Sequence, residues 1–258
     1  MSIKLFTKIL RAFLVLSCGL AQTVIADDHA AAIRPVESFW CDYNPGKDRQ
    51  DFLRVVDEWQ EFAEKNFPAP YAAWVLEPMY FNSEDVTFDI AWVGSSATFK
   101  ELGQIDDTYY EKANKLQSKF DAVAPCQAHM LWGEQMVRES TPIEESDSGW
   151  VSFARCSLKP GASPGAIAAA DKSMNEVLDV SGDTSARARW FPGPGTRSDM
   201  VPGTFLSVSA TSSLEKFGAG ADQLVNGGGM QAQQELYGNL IECKNSSVFR
   251  YTTVKKSN

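Results

Sequence analysis

The sequence is poor in the residues that usually announce chemistry. Its 258 residues include two histidines, His29 and His129, and five cysteines. No two cysteines stand in a C-x-x-C pair, which excludes a zinc knuckle and a thioredoxin-type redox motif. No glycine-rich phosphate-cradling loop occurs, and Gly227-Gly228-Gly229 reads as a loop. Basic residues are outnumbered, 24 Lys and Arg against 33 Asp and Glu, for a formal charge of −9. Such a chain is repelled by phosphate backbones and anionic headgroups, so nucleic acid and membrane surfaces are set aside as partners. Lys255-Lys256 reads as a solvated tail. What is present is an ordinary globular composition, 44% hydrophobic and 22% charged, enough apolar material for a sizeable core.

Residues 1–26 read as a secretory signal peptide. Lys4, Lys8 and Arg11 precede the apolar stretch 12–21, and Val24-Ile25-Ala26 offers small residues before a cut. The stretch is too short to span a bilayer comfortably; an uncleaved anchor is the alternative. The expected location is periplasmic or secreted, with no membrane association after cleavage. Cleavage removes three basic groups and no acidic one, which moves the formal charge from −9 to −12. It would also leave Asp27-Asp28-His29 as the new terminus. There the free amine, two amides and the His29 imidazole could wrap a square-planar Cu²⁺ or Ni²⁺.

Internal repetition is the strongest signal. Cys41-Asp42-Tyr43-Asn44-Pro45-Gly46 and Cys156-Ser157-Leu158-Lys159-Pro160-Gly161 share C-x-x-x-P-G, displaced by 115 positions. Trp74 and Pro78 match Trp190 and Pro194 at 116, and Cys126 matches Cys243 at 117. The pattern reads as a tandem duplication, 34–140 and 147–256, joined by an acidic linker.

In the first copy, 36–41 is a strand candidate and Pro45-Gly46 a turn. Phe52, Val55, Val56, Trp59, Phe62 and Ala63 recur at helical spacing over 48–65. Strands are expected at 71–76 and 86–93. A helical stretch then opens at Ser95-Ser96, pauses at Gly103 and runs to Val123, and a last strand covers 127–137. The order is β-α-β-β-α-β, the ferredoxin-like split unit. The second copy repeats it, with Ser163-Pro164 as an N-cap and N1 pair and a less certain second helix around the Gly227 run.

Four cysteines survive cleavage, and four allow three pairings. In the split unit the first strand runs antiparallel to the fourth, so the end of one lies beside the start of the other. This predicts Cys41–Cys126 and Cys156–Cys243 as structural disulfides, which persist in an oxidising compartment.

Two such units in one chain resemble the dimeric α/β-barrel superfamily, which includes antibiotic-biosynthesis-type monooxygenases, EthD-like and NIPSNAP-like proteins and chlorite dismutases. The resemblance implies an α+β fold in which two tandem ferredoxin-like units form a pseudo-dimeric α/β barrel. It carries over no motif residue by residue, and fold alone does not fix function. Haem-binding members use a histidine to ligate iron; here only His129 falls inside the repeats and its counterpart is Ser246, so no cofactor is expected.

Aromatic residues crowd the predicted sheets. Trp40, Trp92 and Trp132, with Arg155 and Arg189 in strand candidates, are the candidate binding residues of a buried pocket. His129 is the candidate proton carrier, because imidazole titrates near neutrality. The expected function is an exported small-molecule-binding protein that holds an apolar or aromatic ligand, with copies able to associate as a homo-oligomer. The alternative is a cofactor-free monooxygenase-like or related small-molecule enzyme that uses His129.

Overall fold

The computed structural model describes residues 32–140 and 147–256. The expected signal peptide at 1–26, His29 and most of the acidic linker lie outside the described residues.

The first half runs β1 (Ile33–Cys41), α1 (Arg49–Asn66), β2 (Ala72–Tyr80), β3 (Ile90–Ser95), α2 (Phe99–Lys112), α3 (Asn114–Val123) and β4 (Cys126–Arg138). The second runs β5 (Ser148–Leu158), α4 (Pro164–Ser181), β6 (Ala186–Pro192), β7 (Thr204–Thr211), α5 (Leu214–Val225), α6 (Gly229–Tyr237) and β8 (Ile241–Lys255). All eight strands are antiparallel to their neighbours and close a barrel in the order β1-β3-β2-β8-β5-β7-β6-β4. Each half supplies four adjacent strands. The halves meet where β2 pairs with β8, Leu76 opposite Tyr251, and where β4 pairs with β6, Glu134 opposite Trp190.

Strand alternation sorts side chains into two cores. Val36, Leu76, Val93, Trp132, Val151, Trp190 and Phe249 point inward and fill the barrel. Cys41, Ala73, Val75, Ile90 and Trp92 point outward and are covered by α1, α2 and α3. The covering helices are made for this. Asp48 caps α1 in a reciprocal pair with Asp51, and Phe52, Val55, Val56, Trp59 and Ala63 form its buried stripe. Thr98 and Glu101 cap α2 in the same way. Ser163 caps α4 through the Ala166 N–H, with Pro164 in the first turn, as the sequence predicts. The second half is covered less tightly: α5 and α6 bury no side chain fully.

Cys41–Cys126 ties the end of β1 to the start of β4, and Cys156–Cys243 ties β5 to β8. The bonds close loops of 85 and 87 residues. By the chain-entropy account of cross-linking, each removes unfolded-state entropy worth about 4 kcal/mol.

Two boundaries differ from the sequence expectation. The helix after Ser96 passes through Gly103, which sits in open space, and breaks instead at Ala113, whose backbone leaves the helical region. The expected single second helix is therefore α2 plus α3. The strand expected from Val86 begins at Ile90, because Asp85 and Val86 turn back to donate their N–H groups to the Asn82 carbonyl.

Candidate functional site

A cavity of about 270 Å³ lies between the outer face of the first-half sheet and α1–α3. Aromatic side chains make most of its wall: Phe39, Phe52, Trp59, Phe67, Tyr71, Trp92, Tyr109, Tyr110 and Phe120. The Trp59 and Trp92 rings meet edge to face with centroids 4.5 Å apart, a favoured aromatic geometry. Residues Cys41 and Cys126, as their disulfide, floor one side.

The cavity has one polar end. Glu37 alternates with Phe39 and Cys41 along β1, so it faces the helices and is 7% exposed. Tyr71, at the entry to β2, donates its hydroxyl to Glu37 Oε1. Trp92 Nε1 donates in turn to the Tyr71 hydroxyl at 3.1 Å. Among the described residues, the Tyr71 hydroxyl is the one side-chain donor to Glu37. Gly94 in β3 makes this arrangement possible. A Cβ there would lie 1.7 Å from the Tyr71 hydroxyl and 2.9 Å from Glu37 Oε1, so only glycine leaves the space they occupy.

Burial pushes the Glu37 carboxyl up to about 8; the nearby Asp106 carboxyl adds to the rise and the Tyr71 hydrogen bond opposes it. At neutral pH Glu37 is therefore mostly a neutral acid. Asp106, on α2, is raised to about 6 by burial and by its neighbour Asp107. The Tyr71 phenol is raised well above its ordinary value, first by burial and then by the Glu37 charge. Neither Lys nor Arg lines this cavity.

The residues singled out from sequence divide among three places. Trp92 and His129 line the cavity just described. His129 is exposed at its mouth, opposite Phe39 in the β1–β4 register, with ring centroids 4.6 Å apart. Trp40, Trp132 and Arg155 instead face the lumen at one end of the barrel, in a recess of about 170 Å³. There Trp132 Nε1 donates to Ser38 Oγ at 2.9 Å, Trp40 stacks on Phe88, and Arg155 pairs with Asp199. Arg189 lies under the second-half helices in a groove of about 400 Å³, where both its terminal nitrogens donate to Asp171 at 2.6 Å and Tyr237 donates to Asp171 at 2.7 Å. The opposite end of the lumen is a wider recess of about 580 Å³. Leu76, Val93, Phe153 and Trp190 line both lumen recesses and separate them.

Glu37, Tyr71 and Asp106 were not among the sequence candidates. The available signals were a glutamate on the same strand face as Cys41 and a glycine inside an apolar strand. The letters Gly161-Ala162-Ser163-Pro164-Gly165 match G-x-S-x-G, but Ser163 is the α4 cap and shares no recess with His129, the histidine among the described residues. No group of three or more His, Cys, Asp or Glu side chains able to hold a metal ion occurs among the described residues. No helix among them is long and apolar enough to cross a membrane.

No protein-family model matches the sequence, and no curated protein matches it. Solved structures do match. The chain is similar to a DyP-type peroxidase from Streptomyces coelicolor, at 11% identity and TM-score 0.55, covering 87% of this chain and 90% of that one. It is similar to an anthrone oxidase-like protein at 11% identity and TM-score 0.52, with 87% and 94% covered. It is also similar to chlorite dismutase from Candidatus Nitrospira defluvii at 8% identity and TM-score 0.50, with 87% and 92% covered. At these identities the likeness is one of fold: the chain has the dimeric α/β-barrel, ferredoxin-like architecture.

Proposed function

We propose that this is an exported protein that binds a small aromatic or apolar molecule in the cavity beneath α1–α3. The carrying observation is the conjunction there of an aromatic wall with a single buried polar end, Glu37 and Tyr71. Ligand sites have this character: mostly apolar walls and a few placed polar groups that fix orientation. The fold's occurrence in a peroxidase and an oxidase-like protein supports small-molecule chemistry on this scaffold. The two disulfides suit an oxidising compartment, periplasmic or extracellular.

The same reading takes 34–140 and 147–256 as duplicated ferredoxin-like units that close a pseudo-dimeric barrel, with residues 1–26 removed on export. Support comes from the matched landmarks and from the repeated β-α-β-β-α-α-β order. Association into a homo-oligomer belongs to this proposal and is read by light scattering.

Haem, which the fold resemblance implies for histidine-ligated members, does not fit this cavity. His129 is exposed at the mouth. No Lys or Arg lines the cavity to pair with a haem's two propionates.

Titration of the mature protein with 1-naphthol, read by quenching of Trp59 and Trp92 fluorescence, tests the site. Ile105→Trp, which fills the cavity from α2, should reduce the affinity at least tenfold. Unchanged affinity in a folded Ile105→Trp protein would move the ligand elsewhere. Native mass spectrometry of exported protein reports the start residue and any retained molecule.

A second reading draws on the place of His129 at the cavity mouth beside Phe39. In it a cofactor-free monooxygenase-like reaction uses His129 as proton carrier. His129→Ala would then abolish turnover and leave ligand affinity nearly intact.

A further inference from the structure

The geometry points to a small organic cation, an arylalkyl or quaternary ammonium, as the ligand class: its charge would sit at Glu37 and Asp106, and its body against Trp59 and Trp92. This rests on the reading of the cavity as a ligand site and names what the site selects.

Three observations carry it. The first is the wall. Aromatic faces are negative, and indole attracts a desolvated cation most strongly. Trp59, Trp92 and Tyr71 meet around one space, with ring centroids 4.5 Å and 5.9 Å from Trp59. The second is charge. Two carboxyls line the cavity and no Lys or Arg does. Buried acids normally have a cationic partner. This protein supplies one elsewhere, since Asp171 is gripped by both terminal nitrogens of Arg189 at 2.6 Å. Among the described residues, Glu37 has the Tyr71 hydroxyl as its hydrogen-bond donor and no Lys or Arg beside it in the cavity. The third is space. Gly94 leaves room for the Tyr71–Glu37 pair where any side chain would exclude it. The acid is thus housed and buried, with no cation of the protein beside it to hold it ionised. An anion would be opposed there, and a neutral ligand would leave the carboxyl as it is. A cation supplies what is missing.

A proton linkage follows. Burial holds Glu37 protonated up to about pH 8 in the free protein. Pairing with a cation requires the carboxylate, so binding near neutrality releases a proton, and affinity rises by up to about tenfold per pH unit below that value. The titratable groups facing Glu37 are Tyr71 at the entry to β2, Asp106, Tyr109 and Tyr110 on α2, and His129 on β4. Residues from α1 and α3 facing the same space are Phe52, Trp59, Gln117 and Phe120, none of which titrates. Burial, and then the neighbouring Asp107 carboxyl, raise Asp106 to about 6, so Asp106 is largely ionised above neutrality.

The test uses a charged and a neutral probe of one shape, benzyltrimethylammonium and neopentylbenzene. Each is titrated into the mature disulfide-bonded protein at pH 6, 7 and 8. Tryptophan fluorescence reads affinity, and calorimetry in two buffers of different ionisation heat reads proton release. The cation is expected to bind at least tenfold tighter than its isostere at pH 8 and to weaken at least tenfold by pH 6, with up to one proton released near pH 7. Glu37→Gln should weaken the cation at least tenfold, remove the proton release, and leave the isostere within twofold. Asp106→Asn, on the rim of the same space, gives a second readout if Glu37→Gln does not fold; it should weaken the cation severalfold and spare the isostere. Equal or tighter binding of the isostere, without pH dependence, overturns the cation assignment and leaves the cavity as a site. Binding of neither probe removes both.

Discussion

The Glu37 carboxyl makes a prediction about stability that needs no ligand. In the unfolded chain a glutamate titrates near about 4.3. In the native protein burial holds Glu37 at about 8. Between those values the native state binds one more proton than the unfolded state. Stability therefore falls as pH rises across this window, by up to about 1.4 kcal/mol per unit, and levels off above about 8. Below the unfolded value both states are protonated and the full contribution is present. From pH 6 to 7.5 the loss assigned to this one group is about 2 kcal/mol. Asp106, raised to about 6, contributes with the same sign but mostly below this range. Asp183 and Asp199, both lowered, have finished titrating there. Glu37→Gln keeps an amide oxygen for the Tyr71 hydroxyl and removes the ionisation. Urea unfolding of both proteins at pH 6.0, 6.5, 7.0 and 7.5 should show the wild type losing about 2 kcal/mol relative to the variant. Parallel stability profiles would refute the claim that this carboxyl is neutral in the native protein.

Other consequences are equally open to measurement. Gly94→Ala should displace Tyr71 or Glu37, since the new Cβ would stand 1.7 Å from the Tyr71 hydroxyl. A stability loss above about 2 kcal/mol and a change in tryptophan emission are expected; a neutral result would mean that Tyr71 sits elsewhere. Replacing Cys156 and Cys243 together by serine should lower stability by about 4 kcal/mol in denaturant unfolding, with peptide mapping still showing Cys41 joined to Cys126.

The sequence revealed the pairings better than the pocket. Cys41 and Cys126 were placed correctly because strand order alone puts the end of β1 beside the start of β4. Ser163-Pro164 marks a helix start in the sequence because a cap is a local interaction. The break at Ala113 was missed because Gly103, the obvious breaker, is exposed, and a glycine in an open helix position costs only about 1 kcal/mol. The tryptophans failed as a set for a different reason. Trp40 and Trp132 face the lumen while Trp92 faces the helices. Which parity points inward is decided by barrel closure, which no single strand encodes. Glu37 was overlooked because a charge in a strand is usually a solvated one, and its burial depends on α2 covering the sheet from more than sixty positions away.

The two halves also treat buried charge differently, and this can be exchanged. Val56 lies eight residues after the α1 cap Asp48, and Asp171 lies eight after the α4 cap Ser163. Ala73 precedes Trp74 in β2, and Arg189 precedes Trp190 in β6. Where the first half places Val56 and Ala73, 2% and 0% exposed, the second places an ion pair whose side chains are 10% and 16% exposed. Removing one member of such a pair strands the other charge, at about 3–5 kcal/mol; removing both leaves no orphan. Arg189→Ala alone should therefore be strongly destabilising, and Asp171→Val alone similarly so, although Arg189 keeps the Phe205 ring 5.5 Å away. The double variant, which carries the first-half residues, should lie within about 2 kcal/mol of wild type, since only the Tyr237 hydroxyl loses its acceptor. A denaturant double-mutant cycle measures this. Additive losses would mean that Arg189 and Asp171 are held independently, and that the pair is not what replaces the apolar packing of the first half.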